Sequence, residues 1–313
     1  MTDAACITQE DGRRSVDRCK SAHDTVSYND GTMSLECILL GVAQDAGVPQ
    51  AGCYCTTCAN ARSNPANQRY TVCLGLIDRD RSACWMIDAT PDFKPQHAAL
   101  MSAATGCEWR GIFLTHAHIG HYTGLIHLGK ECMNARALPV HASARVCAFL
   151  RTNAPWSLLV RNNNIVLNEI APGQPCALGP GCSITAMVVP HRDEFSDTVA
   201  YIIAGAQRSL FYCPDIDRWE DWGTPVRELC SNHDVSLIDG CFYDAAELKG
   251  RDMTLIPHPV ITHSMTVLNG LERDIRFVHL NHTNPVLTKT SAEYARVIAH
   301  GFGVGDQGDR WEL

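Results

Sequence analysis

Along this chain of 313 residues short apolar runs repeatedly end on histidine or aspartate. GIFLT runs into His116, His118 and His121; SITAMVVP ends on His191, SLFYCP on Asp215 and IRFV on His279. Runs of this length read as buried strands, and polar groups just beyond strand ends can meet at one rim of a sheet. Taken singly, each such residue is more often structural than functional. Their recurrence in one local context makes them candidate ligands and requires a fold that lays these strands side by side.

The remaining pattern fits that requirement. LECILLGVAQ begins the ordered part at residue 35, and VCLGLID and ACWMID read as a hairpin across RDRSA. LPVHAS, VAYIIAG and VSLIDGCF are further strands, while TGLIHLGKECM (123–133), VRELCSNH and TSAEYARVIAHG carry helical spacing. Strands fall into two clusters with helices after each, which predicts a layered α/β fold with two sheets in a single domain over 35–313. Residues 1–34 are polar and without periodicity, and are expected to form a disordered extension.

The net charge of −8 and the absence of a Lys/Arg run argue against nucleic-acid binding. No N-terminal apolar segment resembles a signal peptide and no stretch is long enough to span a membrane. Sixteen cysteines in a chain this long are then read as reduced, in a cytoplasmic setting, most of them small buried residues and a few binding metal. A homodimer is the expected assembly and a small molecule the expected substrate.

Three histidines within six positions, THAHIGH, can converge imidazoles on one cation such as Zn, Mn or Fe. GCYCTTC places Cys53, Cys55 and Cys58 on one turn, a set suited to tetrahedral zinc, with His282 as the expected fourth ligand. Asp88, Asp92 and Asp239 are candidates to orient ligand imidazoles, competing evenly with roles as caps and turn formers. Asp45, Gln50 and Tyr54 are candidates for the mouth of the site, and His258 is a weaker candidate for its lining.

THAHIGHYTGL resembles the HxHxDH signature of the metallo-β-lactamase superfamily. LGVAQDAGVPQAGCYCTTC, LFYCPD, LIDGCFYD and VHLNHTNPVL resemble its pyrroloquinoline quinone biosynthesis protein B (PqqB)-like branch, related to the phosphonate-pathway cyclic phosphodiesterase. The resemblance spans about Leu35 to Gly301 and implies an αββα sandwich. It implies that His116, His118 and His191 hold one metal, that His121 and His279 hold a second, and that Asp215 bridges them. It also places His263 at the substrate as a hydrogen-bond donor. The implied activity is that of a metal-dependent hydrolase in which an activated water attacks an ester or phosphodiester.

Gly120 stands where the signature has aspartate. Three consequences are open: a weakly held second metal; a replacement carboxylate from Asp45, Asp193 or Glu194; or oxidative chemistry at iron. The alternatives to hydrolysis are accordingly a PqqB-like iron-dependent oxidative enzyme and a non-catalytic binding protein with a vestigial site.

Overall fold

The computed structural model describes residues 35–247 and 256–313; the extension expected over 1–34 lies outside the described residues. Among the described residues, fourteen strands form two seven-stranded sheets. The first sheet contains β1 (Leu35–Gly41), β2 (Cys73–Asp78), β3 (Ala83–Ile87), β4 (Glu108–Phe113), β5 (Leu138–Ala142) and β6 (Ile165–Glu169) in that order. The second runs from β7 (Pro175–Gly179) through β8 (Cys182–Val189), β9 (Thr198–Ala204), β10 (Ser209–Cys213), β11 (Val235–Asp239) and β12 (Asp274–Val278) to β13 (Gly303–Val304). The last strand, β14 (Arg310–Glu312), returns to pair antiparallel with β1.

The helices are α1 (Thr56–Ser63), α2 (Phe93–Ala103), α3 (Ile119–Tyr122), α4 (Ala144–Thr152), α5 (Trp156–Arg161), α6 (Val226–Asn232), α7 (Ile261–Val267) and α8 (Ala292–Ala299). Alternation along the strands divides the core between layers. Leu35, Cys37 and Leu39 face Tyr201, Tyr212 and Leu237 between the sheets, whereas Ile38 and Leu40 pack outward with Phe93 and Leu100 of α2. On the far side Phe211, Ile238 and Phe277 pack with Leu229 of α6 and Val297 of α8. The result is the αββα sandwich, and central strands buried on both faces explain the unbroken apolar runs in the sequence.

Strand direction positions the site. β3, β4 and β5 run parallel, and β1 shares their direction because two antiparallel pairings separate it from β3. In the second sheet β10, β11 and β12 are parallel, and β8 points the same way through two antiparallel pairings by way of β9. Asp45, Asp88, His116, His191, Asp215, Asp239 and His279 lie at or just beyond the C-terminal ends of β1, β3, β4, β8, β10, β11 and β12. The loops that bear these seven residues thus leave their sheets at the same rim.

Two local expectations change. The helix expected over 123–133 is a single 3-10 segment, Thr123–Leu128, followed by turns. Gly124 is pressed so close to the 89–93 loop that a Cβ would stand 2.3 Å from Thr90 O, and its N–H bonds Ala89 O instead of a carbonyl within a helix. The apolar fragments IVLNE and PCALG, not among the strands named from the sequence, are β6 and β7 on the outer parts of the two sheets.

Candidate metal centre

β4 ends at Phe113, and its chain continues through Leu114 and Thr115 into the histidine run. Tyr201, fully buried between the sheets, donates its hydroxyl to Leu114 O at 2.6 Å and anchors this exit. His116 Nε2 lies 2.9 Å from His118 Nδ1, and His191 Nε2 lies 3.1 Å from the same atom. Asp215 Oδ2 stands 3.4 Å from His116 Nε2 and 3.1 Å from His191 Nε2. Four atoms from three separate loops therefore face a common point.

A second group adjoins it. His121 Nε2 and His279 Nε2 are 3.8 and 3.9 Å from Asp215 Oδ2, so one carboxylate oxygen faces both groups. Asp45 Oδ1 completes the second group at 3.3 Å from His121 Nε2 and 3.7 Å from His279 Nε2. Asp45 Oδ1, His121 Nε2 and His279 Nε2 are buried and have no hydrogen-bond partner. Orphaned lone pairs of this kind are costly unless a cation or another donor satisfies them.

The distances fit that interpretation. Ligands about 2.0–2.1 Å from a tetrahedral Zn²⁺ stand about 3.3 Å from each other, close to the spacing in the first group. His279 also holds a left-handed backbone, φ +61°, a strained state that costs on the order of 1–3 kcal/mol and persists only where neighbours enforce it. Leu280 enforces it here: its N–H bonds Val42 O, and its carbonyl accepts from Gln44 N.

The outer nitrogens of these imidazoles are also held. Asp88 Oδ2 accepts from His121 Nδ1 at 2.7 Å, and Asp217 Oδ1 from His191 Nδ1 at 2.8 Å. His116 Nδ1 lies 3.0 Å from Thr115 Oγ1, and His118 Nε2 3.1 Å from Glu194 Oε2. These contacts turn the free nitrogens inward and favour the tautomers that cation binding would require.

Charge follows the same plan. Burial would raise the Asp215 carboxyl, but His191 and His279 hold it well below the usual carboxylate range. Burial would likewise raise Asp45, but His121 and His279 hold it down. Burial works against a charged His191, yet Asp215 and Asp217 lift it to about 10. His116 is pushed the other way, by burial first and by the nearby His121 second. Two carboxylates held ionised beside these imidazoles suit the pocket to a cation.

The cysteine set converges as well. Cys53, Cys55 and Cys58 group with His282, and His282 Nδ1 stands 3.6 and 3.5 Å from the sulfurs of Cys53 and Cys55. A tetrahedron with Zn–S about 2.3 Å and Zn–N about 2.05 Å has an S···N edge of about 3.6 Å, so these residues fit zinc. Burial would raise the Cys55 thiol, but the Cys58 N–H and His282 pull it down to about 6, whereas burial pushes Cys58 up to about 11. All fourteen cysteines among the described residues are free thiols.

Not every candidate lies here. His263, expected to donate to substrate, is on α7, where Nε2 bonds Glu220 at 2.5 Å on a partly exposed surface. It joins none of the ligand groups among the described residues. The histidine that does reach the centre is His258: Nδ1 is 2.8 Å from Asp239 Oδ2 and 3.5 Å from Asp215 Oδ1. It ends none of the apolar runs read as strands, so only its place in PHP could have marked it. Of the three carboxylates weighed as replacements at position 120, Asp193 pairs with Arg145 and Glu194 with the outer nitrogen of His118; Asp45 faces the ligands. Asp92 braces Thr71 by accepting from its N–H and hydroxyl. A cleft of about 450 Å³ opens beside the centre, lined by Asp45, Gln50, Ile119, Phe242, His258 and His282 among others. Tyr54 is 84 % exposed.

Residues 85–289, more than half of the chain, match the family described as "Beta-lactamase superfamily domain". The chain belongs to the metallo-β-lactamase superfamily. Within the superfamily it is PqqB-like: it is 24 % identical over 306 residues to the coenzyme PQQ synthesis protein B of Acinetobacter baumannii (strain ACICU), covering 88 % of this chain and 99 % of that one. The fold matches the crystal structure of Zn(2+)-bound PqqB from Methylobacterium extorquens with a TM-score of 0.75 and 22 % identity, covering 89 % of this chain and all of that one. A diphosphatase from the PhnP family matches with a TM-score of 0.64 and 20 % identity, over 90 % of this chain and 98 % of that one. No helix among the described residues is long and apolar enough to cross a membrane.

Proposed function

We propose that this superfamily member is a metal-dependent hydrolase acting on an ester or phosphodiester of a small molecule. The carrying observation is the pair of residue groups that share Asp215 Oδ2 beside the cleft. His116, His118, His191 and Asp215 would hold one cation; His121, His279 and Asp215 would face a second; Cys53, Cys55, Cys58 and His282 would hold a structural zinc. When bound, Zn, Mn or Fe at the first two positions supplies Lewis-acid polarisation and lowers the pKa of a water toward neutrality.

The chain's own residues would do the rest. Asp88, Asp217 and Thr115 keep the imidazoles aimed inward. Asp239 accepts from His258 Nδ1, which leaves Nε2 as the atom that exchanges a proton with a leaving group in the cleft it lines. Ile119 and Phe242 give that cleft apolar wall and restrict water. The solved relatives support the reading because one is a Zn(2+)-bound PqqB and another a diphosphatase.

The test is elemental analysis combined with turnover of bis(p-nitrophenyl) phosphate under nitrogen. Hydrolysis predicts anaerobic turnover with Zn or Mn, lost in Asp215→Asn and reduced about 10²–10⁴-fold in His258→Ala. Iron content with oxygen uptake and no anaerobic turnover would overturn the proposal in favour of oxidative chemistry.

A further inference from the structure

Between His118 and His121 the chain carries Ile119 and Gly120, neither of which can bind a cation through its side chain. The second ligand group would then consist of two imidazoles and a shared carboxylate, a sparse set for a divalent ion. Space explains what replaces the missing anion. A Cβ built on Gly120 would lie 2.1 Å from Asp45 Oδ1, 2.6 Å from Asp45 Cγ and 2.8 Å from Asp45 Cα. Any side chain at position 120 would enter the volume that the Asp45 carboxylate occupies.

Asp45 is held there by main-chain geometry. The Ala43 bridges pair it with both Thr71 and Leu280, and Gln44 N donates to Leu280 O at 3.0 Å. Gly47, at φ +65°, closes a turn by donating to Gln44 O at 2.8 Å. Thr71 Oγ1, which donates to Asp92, also lies 3.3 Å from Asp45 O. The loop that carries Asp45 is thus stapled to the segment that carries His279, and these two residues reach the same point from adjacent backbone.

We infer that Asp45 is the terminal carboxylate ligand of the second cation position, delivered from the loop after β1 into the space left by Gly120. The inference rests on the two-cation reading above. Asp45 and Gly120 form one exchangeable unit: one of the two positions carries the carboxylate and the other must be without a side chain.

Metal titration of the chelator-stripped full chain, by calorimetry with Mn²⁺ and by the visible absorption of bound Co²⁺, tests this without reference to activity. Wild type is expected to take up two ions at the histidine-aspartate centre. Asp45→Asn and Asp45→Gly are expected to weaken the second ion at least tenfold while the first changes less than threefold. Gly120→Asp alone is expected to weaken the second ion too, because two carboxylates compete for one space. The double variant Asp45→Gly/Gly120→Asp is expected to recover second-ion affinity to within about tenfold of wild type, with a two-ion Co²⁺ spectrum; these magnitudes follow the usual cost of disturbing a metal site. Two ions in Asp45→Asn with wild-type affinities would overturn the inference, and so would equal weakening of both ions, which would mean that Asp45 acts through the fold. A double variant no better than Asp45→Gly would refute the exchange. If wild type binds no ion at the histidine-aspartate centre, the reading beneath the inference fails instead.

Discussion

Asp88→Asn isolates what an outer hydrogen bond does for a ligand. Asp88 is fully buried and, at φ +70°, has a left-handed backbone that asparagine tolerates. Its carboxylate accepts from Thr115 N at 2.8 Å, Thr115 Oγ1 at 3.0 Å and His121 Nδ1 at 2.7 Å. An amide has only one acceptor oxygen, so its NH₂ must face the Thr115 N–H or His121 Nδ1. In the second arrangement the imidazole flips its tautomer and puts a proton on Nε2, the atom that faces Asp45 and Asp215. Losing such a support costs about 10–100-fold in metal affinity, or about 1.4–2.7 kcal/mol. With free metal at about 100 times the wild-type Kd, binding stabilises the wild type by about 2.7 kcal/mol; a variant about 30-fold weaker retains about 0.9. The difference of about 1.8 kcal/mol corresponds to roughly 3 °C in the metal-induced rise of Tm for a domain of this size. The assay is thermal unfolding of both proteins in chelator and in metal, so that any loss in the apo form subtracts out. An unchanged metal-induced rise in Asp88→Asn would refute the claim that Asp88 sets the His121 tautomer.

Three further outcomes follow from single contacts. Cys53→Ser should lose about one zinc per chain, the four-ligand expectation, with a lower Tm by calorimetry; unchanged zinc content counts against the cysteine site. Tyr201→Phe leaves the buried Leu114 carbonyl without its 2.6 Å donor and should cost about 1–3 kcal/mol in a denaturant midpoint; a loss under 0.5 kcal/mol would mean that water or relaxation replaces the bond. Glu247 sits half-buried beside Thr283 and Tyr243 N, and burial raises its carboxyl to about 7 despite those bonds. Its folded value exceeds the unfolded one, so its contribution is fully present below about pH 4.5 and is lost as pH rises through about 7. Glu247→Gln, neutral throughout, should match wild type near pH 4 and exceed it at pH 8 by on the order of 1 kcal/mol after allowance for screening; equal stabilities at pH 8 would exclude a raised Glu247.

Much of this arrangement is legible in the sequence because the fold places its chemistry at strand ends. An apolar run that stops on His191, Asp215 or His279 carries both the strand and the candidate ligand in one short word. The cysteine triplet is equally local. Illegible positions lack such a word. His258 ends none of the apolar runs read as strands and reaches the centre through Asp239 on β11, so periodicity says nothing about it. His263, five residues later, lies on α7 and turns to Glu220; a loop and one helical turn suffice to exchange which histidine faces inward. Asp45 could be named only as one of several carboxylates, because the choice depends on a backbone ladder between residues 43 and 280 that spans almost the whole chain. The 3-10 segment after the histidine run was hidden for a related reason: helical spacing is present, but close packing on the 89–93 loop takes the N–H that a helix needs.

The two candidate metal sites share chain segments, and this sharing has a mechanical consequence. The loop after β1 bears Asp45 and, a few residues on, Cys53, Cys55 and Cys58; the loop after β12 bears His279 and His282. Each loop therefore contributes to both sites, and the Ala43–Leu280 bridge lies between them. His279 must hold its left-handed backbone for its imidazole to meet Asp45 and Asp215, and the two backbone bonds of Leu280 are a modest restraint against a strain on the order of 1–3 kcal/mol. A zinc held by three cysteines and His282 adds a second restraint three residues away, on the same pair of loops. Its effect would reach the second cation position through His279 and Asp45, while His116, His118 and His191, which hang from β4 and β8, would be spared. Asymmetry of that kind distinguishes a clamp on two loops from a general stabiliser of the domain, which would weaken both ions alike.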